Sequence, residues 1–392
     1  MFVYVGTFTG ATGAQGISVY RMDVATGALA HVQTVPGLLS PSFLALHPSG
    51  RYLYAVERQW TPERRAVGAV TAFRVEGTTG RLTLLNRQPS GGVSPAHVSV
   101  HPSGRFALAA HYGSGQVAAL PIGPDGRLGS ASDVAQHVGR GPNASRQEGP
   151  HAHFVTTDPS GRYILACDLG IDRIIVSTLD LATGKLHPNG LPYAQVSSGA
   201  GPRHLAFHPS GRYVYVINEL DSTLSAFAFD AARGALQIVQ TVSTLPGGCT
   251  GPSHTAQVVV HPSGRFVYGS NRGHESTVIF AIDATSGWLT LVDHASSGGK
   301  TPRNVNVDPT GAFLLVGNEE SDTIVGASRP EHLRENAAGS GVTLSADELA
   351  QIDRILGGQA GRTAGRDRST GAGRAAPGPP ATVPPALRHR RR

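Results

Sequence analysis

The chain alternates between short apolar segments and polar turns, and one arrangement of them returns six times. An apolar stretch such as PSFLAL leads into a Pro-Ser-Gly or Pro-Thr-Gly turn, whose glycine can adopt a positive φ. An alternating strand follows, for example RYLYAV or RYVYVI. A third strand and then a T-G-x-L turn with a fourth strand complete the unit in several repeats. The pattern predicts units of four antiparallel strands without long helices.

The spacing of these units indicates the architecture. The turn motifs begin at His47, His101, Asp158, His208, His261 and Asp308, which places one unit about every 50 residues. Four-stranded units at this period are typical of β-propeller blades, whereas β-sandwiches do not repeat one turn motif. The N-terminus supplies a second, third and fourth strand of one more unit, in MFVYVGT, GISVYRMDV and TGALAHVQ. We therefore predict an all-β, seven-bladed propeller over residues 1–325.

The C-terminal part departs from the repeat, and we expect an incompletely closed ring. After Val325 the sequence shows no third or fourth strand for the last unit and no first strand for the N-terminal one. Residues 326–356 form a separate segment with helical spacing over 344–356, and Ser345 and Glu348 form a capping box. Residues 357–392 are rich in Gly, Ala, Pro and Arg and predict a disordered tail. Unpaired strand edges would lower the stability.

Composition limits the classes of function. The net charge is +6, but residues 357–392 carry eight Arg and one Asp, so the remainder is close to neutral. The basic balance therefore does not indicate a nucleic-acid partner for the folded part. Cys167 and Cys249 are too few for a disulfide framework, and no apolar run is long enough for a membrane span. We see no signal peptide and expect a cytoplasmic monomer.

Candidate site residues emerge when the repeats are aligned on the turn proline. The first two strands of a blade form a hairpin, so residues before the first strand and after the second should meet at one mouth of the central channel. Polar residues stand nine positions after the proline: Glu57, His111, Asp168, Asn218, Asn271 and Asn318. Others stand ten after, or five and six before: Arg58, Tyr112, Glu219, Arg272, Glu319, His97, His153, Arg203, His204 and Arg303. The recurring turn histidines lie at the opposite end, and we interpret them as structural. We interpret His31 and His137 as surface residues.

Longer strings resemble a known family. MFVYVGTFT, HPSGRYLYAVE, GPHAHFVTTDPSGRYILACDLGID and SNRGHEST are similar to the seven-bladed lactonase family of the bacterial 6-phosphogluconolactonase type, over about residues 1–325. The family also includes carboxymuconate cyclases. The resemblance implies a site at His153, Arg203, Glu219 and Arg272, which lie in HAHF, GPRHLAFHP, VINELDS and SNRGHES. GASRPEHLREN resembles the C-terminal end of aldo-keto reductases, but their barrel is absent from the sequence, so we expect no NADP binding.

Hydrolysis of 6-phosphogluconolactone, a step of the pentose phosphate pathway, is the function that this resemblance implies. His153 and Glu219 are the candidates for deprotonating water, with His151 as the alternative to His153. Arg203, Arg272 and Arg303 suit the phosphate and the oxyanion, and His204 joins them as a binding residue. We expect no cofactor, and no metal because arginines at the mouth oppose a cation. A lactonising enzyme for a dicarboxylate and a non-catalytic binding propeller remain the alternatives.

Overall fold

The computed structural model describes residues 1–9, 15–60 and 66–328. Its strands form seven antiparallel sheets, one per blade, in chain order. The strands of blades 1 to 3 are β1 (Phe2–Gly6), β2 (Ile17–Met22) and β3 (Leu29–Val35); β4 (Leu44–Leu46), β5 (Tyr52–Trp60), β6 (Ala66–Val75) and β7 (Leu82–Pro89); β8 (Pro95–Val100), β9 (Phe106–His111), β10 (Gln116–Pro121) and β11 (Asp133–Gln136).

Blades 4 to 7 continue the series. Their strands are β12 (Ala152–Thr157), β13 (Tyr163–Asp168), β14 (Arg173–Leu179) and β15 (Leu186–Gln195); β16 (Pro202–Phe207), β17 (Tyr213–Asn218), β18 (Thr223–Asp230) and β19 (Ala235–Ser243); β20 (His254–Val260), β21 (Phe266–Arg272), β22 (Ser276–Ile282) and β23 (Leu289–Ser296); β24 (Pro302–Val307), β25 (Phe313–Asn318) and β26 (Thr323–Ser328). A short 3₁₀ helix, Leu169–Ile171, follows β13. The predicted seven-bladed β-propeller is confirmed.

Each blade is a meander in which consecutive strands pair. The first hairpin turns where the sequence predicts it: in blade 3 the amide of Gly104 donates to the carbonyl of His101 over 2.8 Å. Gly104 has a φ of 71°, a conformation that side chains with a Cβ adopt at a cost. The repeated Pro-Ser-Gly therefore fixes the register of β8 against β9, and its copies fix the other hairpins.

The hydrophobic core lies in slices between neighbouring blades. One slice joins blades 4 and 5 through residues such as Leu165, Cys167, Val216 and Phe227, which are almost fully buried. Similar clusters join the other successive pairs from blade 1 to blade 6. Because both faces of a blade are covered, its second strand is apolar along most of its length, as FALAAH in β9 shows.

A glycine in the turn between the last two strands of a blade packs on an aromatic ring of the preceding blade. In blade 3 a Cβ added to Gly126 would lie 2.3 Å from the ring of Tyr52, so only glycine fits. The pairs in this seam are Gly27–Phe313, Gly80–Phe2, Gly126–Tyr52, Gly184–Phe106, Gly234–Tyr163 and Gly287–Tyr213. The Gly27–Phe313 pair joins blade 1 to blade 7, so these two blades are in contact.

A second set of inter-blade contacts uses the histidines of the turn motif. The Nε2 atom of His101 donates to the carbonyl of Gly161 in the next blade over 2.8 Å, while Nδ1 bonds the hydroxyl of Ser103. His47, His208 and His261 make the same pair of contacts in their blades. These histidines are structural, as the sequence predicts, and they also link one blade to the next.

The prediction for the last blade needs a correction. β26 is a third strand, paired with β25 from Asn318–Thr323 to Phe313–Ser328, and it extends beyond the predicted end of the domain at Val325. The pattern TIVGAS was missed because glycine and alanine interrupt its apolar alternation. Among the described residues, blade 1 has no first strand and blade 7 has no fourth. The predicted helix over 344–356 and the tail over 357–392 lie outside the described residues.

The histidine links predict a stability effect without a catalytic one. His101→Ala removes one inter-blade hydrogen bond and leaves the Gly161 carbonyl without its partner, so we expect the free energy of unfolding to fall by about 1–3 kcal/mol. Urea unfolding followed by circular dichroism measures this. His187→Ala, at an exposed position of β15, is the control and should change little. Equal midpoints for the two variants would contradict the linking role, and kcat should be unchanged in both.

Candidate active site

A β-bulge in the first strand of several blades sets the geometry of the channel mouth. In blade 5, Pro202 pairs with Asn218 and His204 with Ile217, so Arg203 is the extra residue. His153 in blade 4 and Arg303 in blade 7 occupy the same position. A bulge re-aims the inserted side chain. It therefore explains how the consecutive residues Arg203 and His204 contact Glu219 and His153, respectively.

The residues nine positions after the turn proline do not line the mouth, which corrects the sequence prediction. All six are at most 3% exposed and hydrogen-bonded within their own surroundings: Glu57, His111, Asp168, Asn218, Asn271 and Asn318. Asn218, for example, donates to the hydroxyls of Thr223 and Ser225 on β18. These residues end the ladder of the hairpin, and their side chains bond to the strands and connections around them, as Asn271 does to the carbonyl of Thr244. Glu219, one position further along, meets the mouth cations instead.

Glu219 holds three guanidinium groups. Its Oε2 atom lies 2.8 Å from Nε of Arg203 and 3.1 Å from Nη2 of Arg272, and its Oε1 atom lies 2.6 Å from Nη2 of Arg146. Burial alone would raise the pKa of the Glu219 carboxyl, but Arg203, Arg272 and Arg146 outweigh it and lower that pKa to about 2. Glu219 is therefore an anion, and the four side chains together carry two unmatched positive charges.

Arg146 is the site residue that sequence reasoning missed. It lies in the connection from β11 to β12, residues 137–151, which we call the 137–151 loop. This connection lies outside the repeat, so an alignment on the turn proline cannot place it. The only signal was its length, since it is the longest connection between two described blades.

His153 lies beside a buried cluster of rings. Its Nδ1 atom is 3.2 Å from Nε2 of His204, and both side chains are largely buried. Desolvation, with the charges of Arg203 and Arg303, lowers the pKa of His153 well below its ordinary value. The His153 ring is therefore neutral near pH 7. No hydrogen bond of the described residues occupies its Nε2 atom, which is left able to exchange a proton.

Four rings at the position five before the turn proline form the floor beneath the mouth. Phe43, His97, Phe154 and His204 contact one another, with centroids 4.0 Å apart for the closest pairs. Desolvation and then Arg203 lower the pKa of His97 to about 3, and the pKa of His204 is lowered for the same reasons. His204 is 2% exposed, so it supports His153 from below more directly than it reaches the open mouth.

His151 is engaged elsewhere. Its Nδ1 atom lies 2.8 Å from the carbonyl of Tyr112, its Nε2 atom lies 3.2 Å from Glu148, and its ring stacks on that of Tyr112. Both ring nitrogens therefore have partners. Of the two histidines that the sequence left as alternatives, the geometry favours His153 for chemistry.

Arg303 lies at the mouth in blade 7. Its guanidinium lies 3.2 Å from Glu319 and packs over the ring of Phe8, with 5.1 Å to the centroid. Arg58 approaches the same ring from blade 2. Phe8 follows β1 as Glu219 follows β17, so blade 1 contributes an aromatic side chain where blade 5 contributes the carboxylate. About a third of the Arg303 and Glu319 side chains is exposed, so this pair is open to solvent.

The chain matches the model of a known protein family. Residues 2–334 match the model of the family described as Lactonase, 7-bladed beta-propeller. The match covers most of the chain and includes β26. The chain therefore belongs to the seven-bladed β-propeller lactonase family, and the predicted enzyme class, lactonase, is confirmed at the level of that family.

Several relatives carry more specific names. A 6-phosphogluconolactonase of Bacillus subtilis is 38% identical over 322 residues, which cover 82% of this chain and 89% of the relative. A 6-phosphogluconolactonase of Formosa agariphila is 32% identical, over 82% of this chain and 91% of the relative. The solved structure of a periplasmic gluconolactonase of Pseudomonas aeruginosa is 31% identical, with a TM-score of 0.77 over 84% of this chain and 92% of that one.

One solved neighbour is described as periplasmic, so the cytoplasmic location stays a prediction. Among the described residues, no helix is both long and apolar enough to cross a membrane.

Within the same residues, no group of three or more His, Cys, Asp and Glu side chains is arranged to hold a metal ion.

The buried floor predicts a pH-dependent stability. The folded-state pKa of His97 is about 3, below the value near 6.5 of an unfolded chain, so only the unfolded state takes up a proton as the pH falls below 6.5. At about pH 5 this difference lowers the free energy of unfolding by about 2 kcal/mol. His97→Phe, which copies Phe43 and Phe154, should reduce the loss of stability between pH 7 and pH 5.

Urea midpoints at the two pH values measure this effect. His187→Phe, at an exposed position, is the control and should keep the wild-type dependence on pH. An unchanged pH dependence in His97→Phe would show that His97 is not a buried neutral histidine.

Proposed function

We propose that this protein hydrolyses a sugar lactone at the channel mouth, and that 6-phosphogluconolactone is its substrate. The observation that carries the proposal is the Glu219 cluster with its three arginines, next to the neutral His153. The 6-phosphogluconolactonase relatives support the choice of lactone. An excess of positive charge in a partly buried mouth suits a substrate that is an anion and that develops further negative charge during the reaction.

The proton step belongs to His153 in this proposal. With Nδ1–H donating to Nε2 of His204, the Nε2 lone pair of His153 accepts a proton from water as the water oxygen attacks the lactone carbonyl. The tetrahedral intermediate then expels the ring oxygen, and His153 returns the proton to that oxygen. The products are the open hydroxy acid and the neutral histidine, and no covalent enzyme intermediate is required.

In this proposal, Arg203 and Arg272 stabilise the oxyanion. Backbone carbonyls hold both guanidinium groups: Arg203 donates to Ala256, and Arg272 donates to Thr255 over 2.7 Å. Donors that are fixed before the reaction stabilise developing charge without reorganisation. Arg303, with its exposed guanidinium, is a further contact for the substrate's anionic groups.

Glu219 takes a different part from the base that the sequence suggested. A carboxylate whose pKa is about 2 is a weak proton acceptor near pH 7. Its charge instead compensates Arg203, which is only 2% exposed and would otherwise be a buried cation with much less compensation. We therefore propose that Glu219 positions the arginines, while His153 moves the proton.

Two other functions are tested by the same assay. Guanidinium groups bind carboxylates as well as phosphates, so a lactonising enzyme for a dicarboxylate would use the same mouth. Purified protein is tested for hydrolysis of glucono-δ-lactone 6-phosphate above the spontaneous rate, with carboxymuconate as the second substrate. Acceleration of neither reaction would favour a non-catalytic propeller.

His153→Asn should lower kcat by about 10²- to 10⁴-fold, because the general base is lost, and should leave the circular dichroism spectrum unchanged. His151→Asn, which changes a neighbouring histidine of the same segment, should have a much smaller effect. The depressed pKa of His153 also predicts that wild-type kcat/KM is retained as the pH falls through 6.5 and declines only at lower pH. Wild-type rates in His153→Asn, or an acid limb above 6.5, would contradict the assignment.

Glu219→Gln distinguishes a positioning carboxylate from a base. We expect lower kcat and a loss of about 3 kcal/mol in unfolding free energy, since Arg203 loses its counter-charge. The acid limb of kcat/KM should move to lower pH, because the remaining cations lower the pKa of His153 further. Glu319→Gln, which breaks an exposed pair, is the control and should cost under about 1 kcal/mol. Disappearance of the acid limb would instead identify Glu219 as the titrating base.

A further inference from the structure

The three arginines around Glu219 differ in how many of their donors are already used. Arg203 uses Nη1 on the carbonyl of Ala256 and directs Nε at Glu219. Arg272 uses Nε on His254 and Nη2 on Thr255 and Glu219. Arg146 uses only Nη2, on Glu219 and the hydroxyl of Tyr112. Its Nε and Nη1 groups make no hydrogen bond to any described residue.

Exposure separates the same three side chains. The Arg203 side chain is 2% exposed, the Arg272 side chain 15% and the Arg146 side chain 32%. The guanidinium with the most unused nitrogens is therefore also the most exposed of the three, and the one that a ligand from solvent reaches most easily. Arg303 is equally exposed, but Glu319 matches its charge, whereas the Glu219 cluster keeps two unmatched positive charges.

The 137–151 loop that carries Arg146 is fastened at both ends by one carboxylate. Asp168 accepts from Nδ1 of His137 over 2.6 Å and from the amide of His151 over 2.7 Å. His137 is 8% exposed, so the sequence interpretation of it as a surface residue is wrong. A single carboxylate thus holds the two ends of the loop together.

The middle of the loop is fastened by Gln147. Its side-chain amide donates to the carbonyl of Leu169 over 2.8 Å and to Asp172 over 2.7 Å, and the residue is fully buried. Because Gln147 adjoins Arg146, the backbone that carries the guanidinium is fixed. Arg146 thus loses its conformational freedom when the protein folds, so ligand binding does not have to order it.

We propose that Arg146 is the specificity residue of the mouth: it binds the phosphate of a phosphorylated lactone, while Arg203 and Arg272 remain on the reacting carbonyl. This inference rests on the proposed lactonase function and deepens it. The unused Nε and Nη1 groups of Arg146 can each donate a charge-assisted hydrogen bond to a phosphate oxygen. An unphosphorylated lactone lacks the group that Arg146 binds, so the residue discriminates between the two substrates.

The test compares Arg146→Gln with the matched control Arg140→Gln, which removes an exposed arginine of the same loop. For glucono-δ-lactone 6-phosphate, Arg146→Gln should raise KM and lower kcat/KM by about 10- to 100-fold, the loss expected for hydrogen bonds to a charged group. For glucono-δ-lactone, kcat/KM should change by less than about 3-fold. Arg140→Gln should match the wild type on both substrates.

A loss of equal size on both lactones would overturn the proposal, since Arg146 would then only position Glu219. No loss on either lactone would overturn it as well. If the wild type hydrolyses neither lactone, the proposed function fails and calorimetric binding of 6-phosphogluconate and gluconate decides the inference separately. Weaker binding of 6-phosphogluconate alone in Arg146→Gln supports it, and equal binding by variant and wild type overturns it.

Discussion

The ion cluster around Glu219 is the constraint on which the mouth depends. A guanidinium as deeply buried as that of Arg203 is stable only beside an anion, because the loss of hydration otherwise exceeds every contact that it gains. One carboxylate supplies that anion and also orients Arg272 and Arg146. The cluster draws together blades 5 and 6 and the loop before blade 4. Its location in the mouth therefore follows from the fold, while its excess of positive charge favours an anionic substrate under the proposed function.

Much of this arrangement can be predicted from the repeat. The turn motif gives the number of blades and the hairpin ends, and so it brings His153, Arg203 and Glu219 to the same mouth without any structure. The repeat does not give the direction of a side chain at a strand end. Asp168 and Glu219 are neighbours in the aligned units, yet Asp168 bonds the two ends of the 137–151 loop and Glu219 meets the arginines. The side-chain directions at the β-bulges are equally hard to predict, because the sequence pattern does not show which residue is the inserted one.

Residues outside the repeat could not be predicted in this way. Arg146 and His137 lie in a connection that has no counterpart in the other blades, so no alignment assigns them a position. Both appear as ordinary polar residues of a polar loop. Their roles depend on Asp168, at the end of β13 in blade 4, and on Glu219, just after β17 in blade 5, which lie 31 residues from His137 and 73 residues from Arg146 in sequence. Contacts of this kind arise where a connection packs across the ends of neighbouring blades, which the repeat does not describe.

The low pKa of His153 connects substrate binding with the transfer of the proton. Burial and the charges of Arg203 and Arg303 keep the ring neutral, but the same charges make it a weaker base. An anion bound at the mouth would offset part of this positive field. The pKa of His153 would then rise when the substrate binds, and its ability to accept a proton from water would increase with it. Under the proposed function, the phosphate therefore does more than hold the substrate: its charge strengthens the base that attacks the lactone, and an uncharged lactone lacks this effect.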